Sequence, residues 1–212
     1  MTDIFIAHAE KYRDAEAFGK AFAEIPECRK AGIESMNNPS GKRLLLATGI
    51  ALARALSSRG IDPLAADIRK TKQGKPYISR SRKVFFSLSH SGDLGVCAVS
   101  GCANGVDAER TGRANAGIAA RFFTPHENKY LAAAPDYDYC FTRLWTLKES
   151  FSKYVGVGIA AFRNVEIDMR KTPPVVAKSE YDCSPRLLEF TYGEYQIALC
   201  TDDADGAKLI EI

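Results

Sequence analysis

Residues 138–154, DYCFTRLWTLKESFSKY, repeat their large apolar side chains at helical spacing. At about 100° per residue, Cys140, Leu144, Leu147, Phe151 and then Val155 fall on one stripe, which must face a core. Glu149 and Lys153 fall together on the opposite side, and Trp145 sits at the edge of the stripe. Upstream, Asn38-Pro39-Ser40 reads as the start of a second long helix, with Asn38 or Ser40 as the cap. It runs to about Ser58, carries Leu45, Ile50, Leu52 and Leu56 near 3.6 spacing, and has Gly60 just past its end.

Short strands surround the two helices. Ile4 to Ala7 opens the chain, and further candidates lie around Tyr77, at Val84 to Leu88, Gly95 to Val99 and Val106 to Glu109. Asn104-Gly105 is a tight-turn dipeptide, which predicts a hairpin between the last two. Beyond the helix at 138–154, strands are predicted at Phe162 to Ile167, Leu187 to Tyr192, Tyr195 to Cys200 and Lys208 to Ile212, with a Gly193-Glu194 hairpin turn. Each half, residues 1–103 and 104–212, thus reads as strand, helices, long helix, several strands. No linker separates them. The expected class is α+β: two similar α/β halves in a pseudo-two-fold arrangement, each a small, mostly antiparallel sheet packed on a long helix.

Composition excludes several classes. With 46% apolar and 26% charged residues over 212 positions, the chain is neither disordered nor fibrous. No apolar run approaches the roughly 20 residues needed to span a bilayer. Asp3, His8, Glu10 and Lys11 break up any signal-peptide apolar region, which predicts a cytoplasmic protein. A net charge of +3 suits one cationic pocket better than a nucleic-acid surface. The six cysteines form no C-x-x-C pair and read as reduced, buried small hydrophobes.

Three constellations carry possible chemistry. In Gly105-Val106-Asp107-Ala108-Glu109, residues two apart on a strand place both carboxylates on one face. Such a pair either ends a solvated strand or demands a cation, which Mg²⁺ supplies through hard oxygen ligands. Glu149 and Lys153, one helical turn apart, are either a surface ion pair or a further carboxylate beside a cation. In Phe86-Ser87-Leu88-Ser89-His90-Ser91-Gly92, His90 stands where a strand gives way to a Ser- and Gly-rich loop, of the kind that offers hydroxyls and N–H groups to phosphate. Gly74-Lys75-Pro76 is a similar punctuated turn bearing one cation.

Taken together and in order, GKP at 74–76, FSLSHSG at 86–92, GVDAER at 105–110, RFFTPHE at 121–127 and LWTLKESFSKYVGVG at 144–158 resemble the 4′-phosphopantetheinyl transferases. The likeness is to the larger, two-half (surfactin-synthetase activating) subfamily and covers residues 74–158. It implies transfer of phosphopantetheine from coenzyme A to a serine of an apo acyl or peptidyl carrier protein, with release of 3′,5′-ADP. By the same resemblance Asp107, Glu109 and Glu149 are Mg²⁺ ligands and Lys153 assists the leaving group. Because a serine hydroxyl is a poor nucleophile, a carboxylate within reach, Glu149, is expected to take its proton directly or through water. His90 and Ser89 would hold the pyrophosphate, and Gly74, Lys75 and Pro76 would wall the nucleotide. Arg29, Lys30 and Arg43 would reach the 3′-phosphate, and Lys148 joins Lys153 among the coenzyme A contacts. Cys28 stands where relatives often carry a basic residue. A chain holding both halves is expected to act as a monomer, without nucleic acid or membrane as partner. Arg121, Phe122 and Phe123 belong either to a carrier-facing surface or, for the two Phe, to the core. The competing readings are a non-catalytic coenzyme A or carrier binder and a metal-dependent nuclease. The helical placement of Glu149 and Lys153 argues against the nuclease, and the full set of expected catalytic residues argues against the binder.

Overall fold

Alternation along the strands decides how the layers stack. The computed structural model describes residues 1–81 and 83–212. On β1 (Thr2–His8), Phe5 and Ala7 face one way while Ile4 and Ile6 face the other, as period-2 geometry requires. The chain then forms α1 (Ala15–Glu24), α2 (Glu27–Glu34) and the 19-residue α3 (Pro39–Ser57), which Asn38 caps through its side chain. A small ribbon of β2 (Ile68–Lys70) and β3 (Pro76–Ile78) precedes β4 (Phe85–Ser91) and β5 (Leu94–Ser100). Next come β6 (Asn104–Arg110), α4 (Ala116–Phe122), α5 (Pro125–Ala132) and α6 (Tyr137–Val155), also 19 residues long. Strands β7 (Val165–Asp168), β8 (Val175–Ser179), β9 (Arg186–Tyr192), β10 (Tyr195–Thr201) and β11 (Ala207–Glu211) complete the chain.

Two sheets carry the molecule. One has the order β11-β1-β5-β4 and the other β6-β10-β9. They pack face to face through Ile4, Ile6, Val96 and Ala98 on one side and Val106, Ala108, Ile197 and Leu199 on the other. Helix α3 covers the outer face of the first sheet through Ala47, Ala51 and Leu52 against Phe5, Cys97 and Val99. Helix α6 covers the outer face of the second through Leu144, Leu147 and Phe151 against Ala198 and Cys200. The apolar stripe read from the sequence is this buried face of α6, with Val155 only partly buried at its end.

The close approach of both helices depends on glycine. A methyl on Gly95 of β5 would stand 2.8 Å from the Ala47 carbonyl carbon of α3. One on Gly105 of β6 would stand 2.9 Å from the Lys153 carbonyl carbon of α6, and closer still to the Ser150 oxygen and Tyr154 nitrogen. In each sheet the helix backbone rests directly on the strand.

Four expectations are corrected. Asn104 and Gly105 lie inside β6 rather than at a turn, so β5 and β6 do not form a hairpin. Strand β5 pairs with β1 and β4, and β6 pairs with β10. The turn between paired neighbours is Gly92-Asp93, with Gly92 at φ 58°. Residues 158–164 form a 3₁₀ segment, and the strand begins only at Val165. The last strand, β11, joins the first sheet parallel to β1, so the second half lends a strand to the first. Of the cysteines, Cys97, Cys140 and Cys200 are buried and Cys28 is exposed.

Candidate active site

The free edges of the two sheets meet at β4 and β6, and a cleft opens along that seam between α3 and α6. One chamber, about 400 Å³, is lined by Arg29, Leu45, Thr48, Leu88, Ser89, His90, Asp107, Glu109, Trp145, Glu149 and Lys153. A second, about 260 Å³, shares Leu88, Glu149 and Lys153 with it and adds Gly74, Lys75 and Pro76. Glu149 and Lys153, one turn apart on α6, therefore form a floor common to both, and Trp145, one turn before Glu149, lines the first chamber alone.

Carboxylates come from the second half. Asp107 and Glu109 project from β6 toward α6, because Val106 and Ala108 face the opposite sheet. Asp107 is 3% exposed; its Oδ1 accepts from Ser89 Oγ at 2.6 Å and from Lys153 Nζ at 2.7 Å, while its buried Oδ2 has no partner among the described residues. A buried carboxylate oxygen left without a donor is costly and invites a cation. Burial raises the Glu109 carboxyl, helped by Asp107 and opposed by the Ser91 hydroxyl, Arg113 and Lys153. Burial, together with the charges of Asp107 and Glu109, pushes Glu149 up to about 7 against the pull of Lys153. Among the described residues no three Asp, Glu, His or Cys side chains are already drawn together as a metal site. Lys153 instead sits on Asp107 and also donates to Ser89 Oγ and the Val106 carbonyl. The donor set nonetheless fits a hard divalent ion: three carboxylates in one chamber, one with an orphaned oxygen.

Beside Lys153, the first half adds further nitrogen donors. Arg29 faces the chamber, has no acidic partner among the described residues, and keeps a buried, unsatisfied Nε; burial lowers its guanidinium's pKa. His90 lies within β4 rather than in a loop, on the same chamber. Its pKa is lowered by burial, and Lys153 and Arg29 add to that. Lys75 lines the second chamber, but its ammonium donates to the carbonyls of Tyr154 at 2.9 Å and Asn104 at 3.2 Å, so it caps the end of α6.

Three residues named from the sequence are not brought to the cleft. Lys148 is fully buried; its Nζ donates to both Glu127 oxygens, at 2.8 and 2.7 Å, and to the Val165 carbonyl, so no ligand in the cleft can reach it. Lys30 pairs with Glu27 at 2.8 Å and lies over the Phe22 ring. Arg43, half-buried on α3, lines neither chamber beside Leu45 and Thr48. Glu149 and Lys153 are not an exposed surface pair. Phe123 is buried and Phe122 partly so, both against Trp145, which makes them core. Thr48, Leu88 and Trp145 line the cleft without having been singled out for it.

Comparison with known proteins bears on this cleft. Residues 103–200 match the family model of the 4′-phosphopantetheinyl transferase superfamily. The chain is 38% identical over 177 residues to a 4′-phosphopantetheinyl transferase from Bacillus subtilis, covering 80% of this chain and 78% of that protein. It is 36% identical over 115 residues to another from Aneurinibacillus migulanus, covering 52% of this chain and 47% of that protein. It thus spans about half the length of that second relative. Among solved structures, a holo-(acyl-carrier-protein) synthase from Bacillus anthracis aligns at 20% identity and TM-score 0.35, over 46% of this chain and 91% of that one. That likeness is too loose to bear on the site.

Proposed function

The chain belongs to the 4′-phosphopantetheinyl transferase superfamily, and we propose that its cleft moves the phosphopantetheine arm of coenzyme A onto a carrier protein's serine. The observation that carries this reading is a single chamber that gathers three carboxylates with the cations Arg29 and Lys153. Arg29 and His90 face Asp107, Glu109, Glu149 and Lys153 in one chamber. A diphosphate needs cationic donors on its oxygens and a divalent ion between it and any carboxylates. Both requirements are met in this chamber.

In this reading Asp107, Glu109 and Glu149 hold Mg²⁺. When bound, the ion supplies charge neutralisation for the pyrophosphate and for the negative charge that develops as it is cleaved. Arg29 and His90 bind phosphate oxygens from the first half, and Gly74, Lys75 and Pro76 wall the nucleotide in the second chamber. Ser89 lines the pyrophosphate side, although its hydroxyl is already shared between Asp107 and Lys153. Lys153 offsets the charge on the departing 3′,5′-ADP. A serine hydroxyl is a poor nucleophile. Glu149, on the floor of both chambers, is the carboxylate assigned to accept its proton.

The same proposal includes the larger two-half subfamily, a monomeric protein, and division of the chain at 103/104 into halves related by a pseudo-two-fold. Support comes from the two 19-residue helices, each resting on a strand glycine. No helix among the described residues is long and apolar enough to cross a membrane. The test is to incubate the protein with coenzyme A, Mg²⁺ and several apo carrier proteins, then weigh the carriers by mass spectrometry. A phosphopantetheine adduct on serine is expected. Coenzyme A binding without any adduct on any carrier would refute transfer.

A further inference from the structure

Strand β6 ends its sheet, and an edge strand presents N–H groups that must find acceptors once buried. Here the acceptors are serine hydroxyls. The amides of Val106, Ala108 and Arg110 donate to Ser87, Ser89 and Ser91 Oγ at 3.0, 3.3 and 3.2 Å, a constant offset of 19 residues along two strands that run the same way. All three serines are buried, on the face of β4 opposite Phe86 and Leu88. A serine hydroxyl accepts and donates at once, which a backbone carbonyl cannot do. Two of the three pass their proton onward: Ser89 to Asp107 and Ser91 to Glu109, each at 2.6 Å. Among the described residues Ser87 donates to no carboxylate.

We infer that Ser91 is a positioning residue for Glu109. Its hydroxyl fixes Oε2 of that carboxylate and ties the aim of a second-half carboxylate to a first-half strand. The inference rests on the reading of Glu109 as a metal ligand. Ser87 provides the matched control, because it makes the same amide contact at the same seam without touching a carboxylate.

The experiment titrates Mn²⁺ into protein saturated with coenzyme A, followed by electron paramagnetic resonance, with thermal unfolding measured on the same samples. Ser91→Ala is expected to weaken Mn²⁺ binding by roughly 10-fold, the lower end of the loss on removing a hydrogen-bond partner of a metal ligand. Ser87→Ala should lower Tm comparably while leaving Mn²⁺ affinity within about twofold of wild type. Ser91→Thr, which keeps the hydroxyl, should restore binding. Wild-type affinity in Ser91→Ala, or an equal loss in Ser87→Ala, would overturn the inference and leave the serines as scaffold alone. Wild-type protein that binds no Mn²⁺ would instead overturn the metal reading, and this inference with it.

Discussion

The two long helices are built alike and used differently. Helices α3 and α6 have the same length, each covers the outer face of a sheet, and each lies against a glycine, Gly95 or Gly105. Yet α3 buries small residues such as Ala47, Ala51, Ala53 and Ala55 and gives the cleft only Leu45 and Thr48, the latter's hydroxyl already donated to the Leu44 carbonyl. Helix α6 sends Trp145, Glu149 and Lys153 into the cleft and buries Lys148 against Glu127. Two helices of equal length, each laid on a sheet, are therefore separated by their polar decoration. The first half supplies Arg29, His90 and the serine hydroxyls, and the second supplies every candidate carboxylate together with Lys153.

That asymmetry can be broken by substitution. The largest effect belongs to the carboxylates: Asp107→Asn and Glu149→Gln should each lower turnover by about 10²–10³-fold, the range for removing a group that acts on developing charge. Both should keep a folded far-ultraviolet spectrum. A wild-type rate in either would remove that residue from the site. Exhaustive chelation with EDTA should have a comparable effect, reversed by Mg²⁺, and turnover that survives it would exclude a metal role for all three carboxylates.

The glycines come next. Gly95→Ala and Gly105→Ala both force a methyl against helix backbone, and overpacking of this kind costs about 1–3 kcal/mol, so both should lower Tm. Only Gly105→Ala moves the turn that bears Lys153, so it should also lose activity beyond its loss of folded protein. Equal specific activity in the two variants would show that the helices are not used differently. A smaller effect is expected at Arg29. Arg29→Ala should raise KM for coenzyme A more than it lowers kcat, because Arg29 is assigned to grip rather than to chemistry. A kcat loss at unchanged KM would contradict that.

The smallest effect is on stability. Glu149 is raised to about 7 in the folded, metal-free protein, so the folded state holds its proton through a window in which the unfolded chain, near its ordinary 4.5, releases it. Stability must then fall as pH rises between those values. Glu149→Gln removes that penalty. In EDTA it should be more stable than wild type at pH 8, with the difference vanishing toward pH 4.5, as thermal scans at several pH values would show. A difference independent of pH would mean that Glu149 is not held in the protonated form.

Much of this was legible in the chain. The apolar stripe of α6, the Asn38 cap of α3 and the shared face of Asp107 and Glu109 all follow from local periodicity, which sequence displays directly. The partners of β5, β6 and β11 did not follow, because pairing is decided by which apolar faces meet across the molecule. Asn104-Gly105 looked like a turn for the same reason: Gly105 is required by the α6 backbone pressing on it, a tertiary demand with the sequence signature of a local one. Lys148 was misplaced because a lysine beside a site glutamate reads as a ligand contact unless its buried partner, 21 residues away, is known. The serines at 87, 89 and 91 carried a period of two that marks one face of a strand, but only the packing of β4 on β6 shows that this face meets the seam.

The account stands most directly on where a divalent ion sits. Crystals grown with coenzyme A and Mn²⁺, measured at the manganese absorption edge, should show one anomalous peak ligated by Asp107, Glu109 and Glu149, with Lys153 drawn off Asp107. A peak elsewhere, or an ordered diphosphate in the cleft with Glu149 turned away from the other two carboxylates, would contradict it.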